Sequence, residues 1–246
     1  MLKKLIIFLS VFFALAAFCS AETPEESFKK LFPHVKYDSI KESAVKGVYE
    51  VLAGSELVYF DPATGILILG EMRTSDGKNL TSARLMEIIK EKVKHIPSEK
   101  GMKIGNGKNI IVEFTDPDCP FCRKVDTFLK TKKDITRYVF FYPLLQLHPN
   151  AEKKSKFILC AKDKVKTFYD VMEGKYDEKE VTECKDEKVE DTIKEYRKLG
   201  DTLGISGTPF LIVNGEPVNG ANFPLINKYL GEPEEHPVEK TPSGEK

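Results

Sequence analysis

The chain has 246 residues, with 38 basic against 38 acidic side chains, four histidines, five cysteines and no tryptophan. That balance leaves no electrostatic footprint for nucleic acid, and the length admits one large domain or two small ones. After the first twenty residues no apolar run is long enough to span a bilayer.

Met1 to Ala21 has the make-up of a secretory leader: Lys3 and Lys4 open it, Leu5 to Phe18 is apolar, and Cys19-Ser20-Ala21 offers small residues for cleavage before Glu22. An exported chain cut near Ala21 is expected, with a formal charge of −2 once Lys3 and Lys4 leave the balance. Acylation at Cys19 is the competing reading, and the bulky Phe18 before it speaks against it. Thr23-Pro24-Glu25-Glu26 then starts a helix, with Thr23 as N-cap, Pro24 at the first helical position and Glu26 closing a capping box. Phe28, Leu31, Phe32 and Val35 fall on one face of it. Strands follow over Val45 to Leu52, Leu57 to Phe60 and Ile66 to Leu69, the last two joined by the turn Asp61-Pro62-Ala63-Thr64-Gly65. A unit of this size, residues 22–80, buries only about 60% of its unfolded surface. An apolar strand at its sheet edge would offer backbone partners to a second copy, so dimerisation through this unit is expected.

Residues 81–100 read as a connecting helix with Leu85, Ile88, Ile89, Val93 and Ile96 at helical spacing, stopped by Pro97. Gly101, Gly105, Asn106 and Gly107 mark a loose junction. The second unit, 101–231, alternates strand (Asn109 to Phe114), helix (Pro120 to Lys132) and strand (Arg137 to Tyr142). Helical stretches over Ala151 to Glu173 and Val189 to Leu203 come next, then a strand from Phe210 to Val213, a turn at Asn214-Gly215 and a last helix from Pro224 to Leu230. That order implies an α/β sheet carrying an all-helical insertion. Residues 232–246, rich in Pro, Glu and Lys, read as a disordered tail.

The chemistry gathers at Asp118-Cys119-Pro120-Phe121-Cys122, where a strand runs into a helix. The first sulfur of such a pair faces the unpaired N–H groups and positive end of the helix, which favours thiolate. Cys119 is the expected nucleophile, nearer solvent, and Cys122 the residue that resolves its mixed disulfide. The competing readings are a purely structural disulfide and half of a zinc site, the latter with Cys160 and Cys184 at spacings unlike paired zinc knuckles. Glu113 lies six residues before Cys119. Turned inward it would be a buried carboxylate able to relay the proton of Cys122, and turned outward a surface glutamate; strand alternation without a register leaves both open. Cys160 and Cys184 read as a structural disulfide, against two free buried thiols. Thr208-Pro209 precedes a strand, and the histidines form no ligand or triad pattern, so no metal is expected.

Phe114-Thr115-Asp116 before Cys119-Pro120-Phe121-Cys122, Thr208-Pro209, the stretch Cys160-Ala161-Lys162-Asp163-Lys164 and the run from Ser55 to Gly70 together resemble the DsbC/DsbG family of periplasmic disulfide isomerases. The resemblance implies an α+β architecture: a cystatin-like dimerisation domain, a linker helix and a thioredoxin fold with a helical insertion, assembled as a V-shaped homodimer around an apolar cleft. It implies a cis Pro209, with the backbone of Thr208 pairing with extended substrate, and a structural Cys160–Cys184 disulfide. It further implies no cofactor other than the redox-active Cys119–Cys122 pair, a periplasmic location, unfolded or misoxidised exported proteins as substrates, and a membrane thiol reductant of the DsbD type. Two departures bear on redox poise: Pro120-Phe121 stands between the cysteines where many isomerases have Gly-Tyr, and Glu113 occupies a place similar to the acidic position of thioredoxins and DsbA oxidases. A disulfide oxidase of the DsbA type and a chaperone with secondary redox chemistry are the alternative functions.

Overall fold

A computed structural model describes residues 22–182 and 184–232. The leader expected over residues 1–21 and the tail beyond Glu232 lie outside them.

Helix α1 (Pro24–Leu31) begins with the reciprocal capping box of Thr23 and Glu26. It lies on an antiparallel meander of β1 (Ser39–Glu42), β2 (Tyr49–Ala53), β3 (Glu56–Asp61) and β4 (Ile66–Ile68). Phe28 packs with Val51, Val58 and Phe60 on one face of this sheet. Leu52, Leu57 and Tyr59 form the other face, which α2 (Leu80–Val93) covers with Leu85 and Ile88. The same helix turns Ile89 and Val93 into the core of the second domain, so its apolar stripe serves both units. The sequence placed the first strand from Val45; it starts instead at Tyr49, because Val45 sits in the turn that brings β1 against β2. β1 itself carries Lys41 and Glu42 at its exposed end and shows no apolar run to announce it.

A single 3₁₀ turn (Ser98–Lys100) leads into β5 (Met102–Ile104). β6 (Asn109–Thr115), α3 (Pro120–Lys130), β7 (Ile135–Phe141), α4 (Ala151–Cys160), α5 (Lys164–Met172), α6 (Glu187–Leu203), β8 (Phe210–Val213), β9 (Glu216–Asn219) and α7 (Phe223–Leu230) follow. The five strands order as β5-β7-β6-β8-β9, with β6 and β7 parallel and the other pairs antiparallel. Val125 and Leu129 of α3 and Ile226 and Leu230 of α7 cover one face against Ile111, Leu211 and Val213. On the other face Ile193, Tyr196 and Leu203 of α6 meet Val112, Phe114, Phe140 and Ile212.

The stretch expected as a loose junction is a strand with tight neighbours. Met102 and Ile104 point into the core on either side of Lys103, and a Cβ at Gly107 would lie 2.0 Å from the Asp134 carbonyl carbon, so only glycine lets these chains approach. β9 escapes a sequence reading because Pro217 interrupts it, which an edge strand tolerates. The helix expected over 151–173 is two helices: Ala161 is extended, and Asp163 caps α5 by accepting from the Lys166 N–H. Cys160, at the end of α4, is joined to Cys184 as a disulfide with a Cα–Cα distance of 6.2 Å.

Candidate functional site

Cys119 and Cys122 are free thiols at the mouth of α3. Cys119 is the N-cap and Pro120 the first helical residue, whose missing N–H costs nothing there. Cys119 is 4% exposed and Cys122 1%, so the expected nucleophile is less open to solvent than the sequence implied. The N–H groups of Phe121 and Cys122 and the Cys122 thiol turn toward the Cys119 sulfur, and Cys119 Sγ lies 3.5 Å from the Thr208 carbonyl oxygen. The Cys122 thiol, chiefly, with those two N–H groups, pulls the Cys119 thiol from its ordinary value down to about 6, against an opposing push from burial. Burial, followed by the neighbouring Cys119 sulfur, pushes Cys122 well above its ordinary value. The two thiols are therefore unequal: one is a thiolate at neutral pH and the other holds its proton. The Cys119 value in the folded protein lies below that of an unfolded thiol, so its stabilisation of the reduced state is present above the unfolded value and is lost as pH falls through about 6.

The Thr208-Pro209 peptide is cis, and it lies beside the thiols because Phe210, first in β8, pairs with Phe114 at the end of β6. The Thr208 hydroxyl is buried with no partner among the described residues. Glu113 does turn inward, on the face that α3 covers, but it is not a free carboxylate. Arg137 donates to both of its oxygens, at 3.1 and 2.9 Å, and to Asp126 of α3 at 2.9 Å. Burial pushes the Glu113 carboxyl up and Arg137 pulls it back, with burial the larger effect.

Two residues that sequence reasoning passed over complete the site. Asp116 is fully buried and accepts from the Asp118 N–H (2.8 Å), the Leu144 N–H (2.8 Å) and His148 Nδ1 (2.9 Å), while its own N–H donates to Cys122 Sγ at 3.4 Å. His148, part of no ligand or triad pattern in the sequence, thus ties the segment after β7 to the turn before Cys119. Asp116 was legible only as part of the family pattern, and nothing in the sequence singled out His148. The tie leaves Leu145 and Leu147 exposed, and Phe121 is 56% exposed at the start of α3.

Residues 98–224 match the model of a thioredoxin-like domain, and residues 16–82 that of the disulfide bond isomerase protein N-terminal domain. The thiol:disulfide interchange protein DsbC of Escherichia coli (strain K12) is 31% identical over 206 residues, which cover 80% of this chain and 83% of the relative. A probable thiol:disulfide interchange protein DsbC of Bordetella avium is 27% identical, and the match spans 66% of its length. A solved structure, a disulfide interchange protein from Neisseria gonorrhoeae, is 31% identical, with a TM-score of 0.48, and the match covers 55% of this chain and 96% of that one. With an unequal dithiol at a helix start and both family domains along its length, the chain belongs to the DsbC family of thiol:disulfide interchange proteins and is a thiol:disulfide oxidoreductase.

Proposed function

We propose that the protein works as a periplasmic disulfide isomerase and reductase on misoxidised exported proteins, with Cys119 as nucleophile, Cys122 as resolving thiol and Thr208-Pro209 as the place where substrate backbone lies. What carries the reading is the unequal dithiol on the same chain as an N-terminal domain of the isomerase type. The Cys119 thiolate attacks one sulfur of a substrate disulfide, a Cys119–substrate disulfide forms, and the other substrate sulfur leaves as thiolate. A second substrate thiol can then attack the mixed disulfide, which returns the Cys119 thiolate and a rearranged disulfide with no net electron transfer. Alternatively Cys122, on losing its proton, attacks Cys119 and releases reduced substrate. The Cys119–Cys122 disulfide then holds two oxidising equivalents, and a membrane thiol reductant returns the electrons. Phe121, at the start of α3, and Leu145 and Leu147, in the segment that His148 ties to the turn before Cys119, offer exposed apolar side chains to unfolded chains. Glu113 enters as part of the ionic floor beneath α3; with Arg137 on both of its oxygens, it supports the site through that cluster rather than as a free proton carrier.

Direction is the point to test. Thiol trapping of the exported protein should find Cys119 and Cys122 mostly reduced; a mostly oxidised pair would overturn the isomerase reading in favour of an oxidase.

The dimer belongs to the same proposal. β4 is an edge strand with Ile66, Ile68 and Leu69 exposed, a row of unpaired backbone groups and apolar side chains that a second copy would cover. Light scattering on the leader-free protein should give twice the chain mass, and a monomer at micromolar concentration would remove this part of the reading.

A further inference from the structure

The steps above leave unused a group of four charges gathered at the turn that leads into Cys119. Lys154 of α4 places its ammonium 2.5 Å from Asp118 and 2.9 Å from Asp177. Arg123 of α3 donates to both oxygens of Asp177 at 2.6 Å, to Asp118 at 3.4 Å and to the Pro117 carbonyl at 2.9 Å. Two carboxylates and two cations sum to zero, and Asp118 is the residue immediately before Cys119. Lys154 is only 6% exposed. A lysine gives up solvation and side-chain freedom to sit there, when its neighbours Lys153 and Lys156 stay nearer the surface. The other charged groups around the thiols are already engaged or neutral: Asp116 with His148, Lys124 over the Phe121 ring at 5.4 Å, and from the β8 side only the uncharged Thr208. An uncompensated Asp118 would repel the negative charge that Cys119 must carry.

We propose that Lys154, reaching from the helical insertion into the active-site turn, is a positioning residue that neutralises Asp118 beside Cys119 and so sets how oxidising the dithiol is. The inference rests on the thiol–disulfide chemistry of the pair, not on its direction, so an oxidase would obey it equally.

The charge arithmetic predicts opposite signs for two variants. Lys154→Met leaves the group at −1 and should raise the Cys119 thiol pKa by about one unit, whereas Asp118→Asn leaves it at +1 and should lower it. The double variant returns to zero and should sit near the parent, as should Lys154→Arg. At pH 7 a rise from about 6 by one unit makes the disulfide about fivefold harder to reduce, or roughly 20 mV at 29.6 mV per tenfold. Thiolate absorbance against pH on the reduced, folded full chain reads the first quantity, and equilibration with glutathione the second. Opposite shifts that cancel in the double variant establish the role. If both single variants move the same way, or if Lys154→Met lowers the melting midpoint without moving the thiol, the residue is only structural and the proposal fails. Should Lys154→Met not fold, a missing downward shift in Asp118→Asn overturns it alone.

Discussion

Cys119→Ser should abolish the refolding of a scrambled multi-disulfide substrate, down to the rate of the redox buffer alone. No graded loss is expected, because a serine oxygen can neither attack a disulfide sulfur at neutral pH nor form the mixed disulfide through which exchange must pass. Cys122→Ser should behave differently: the mixed disulfide still forms, but the direct route to reduced substrate is gone, so covalent complexes accumulate. The pH dependence of the parent follows from the Cys119 value of about 6. Alkylation of Cys119 should be half-maximal near pH 6, about one-tenth of its plateau at pH 5 and flat above roughly pH 7, because only the thiolate reacts. Unchanged isomerisation by Cys119→Ser, or an alkylation profile centred near the ordinary thiol value, would contradict the assignment of nucleophile.

Arg137→Met should cost about 3 to 5 kcal/mol of stability, the range for removing one partner from a buried ionic cluster. Arg137 is almost wholly buried, faces Glu113 and Asp126, and lies over the Phe168 ring at 5.4 Å, while Lys130 reaches Asp126 only from the surface side. Its loss strands Glu113 under α3 and leaves Asp126 with the Lys130 ammonium alone. Glu113 would take up a proton, so the deficit should shrink as pH falls, and adding Glu113→Gln to Arg137→Met should recover part of it. Urea unfolding followed by circular dichroism measures this; a deficit under 1 kcal/mol would mean that Arg137 is a bystander.

Much of the site was legible because its signals are local. The Cys-x-x-Cys spacing, the apolar run before it and the helix after it place two sulfurs on adjacent turns by helical geometry alone. The capping box at Thr23 and Glu26 and the turn at Asp61 to Gly65 were equally readable, each needing only residues within one turn of each other. Short strands without an uninterrupted apolar run were not. β1 and β5 have four and three residues, and β9 contains a proline. The break between α4 and α5 was hidden because both helices keep apolar residues at compatible spacing across Ala161 to Asp163.

What the residues settle unaided is thus the kind of chemistry and the order of elements: period, capping and spacing act over a few positions and survive any arrangement of the rest. The fold decides how that chemistry is tuned. Glu113 meets Arg137 across 24 positions, Asp118 meets Lys154 across 36, and Cys119 meets Thr208 across 89. Each pairing appears only after β6 is flanked by β7 and β8 and the insertion closes over α3. The energy of a charge depends on which neighbours replace the water removed on folding, and those neighbours come from distant parts of the chain.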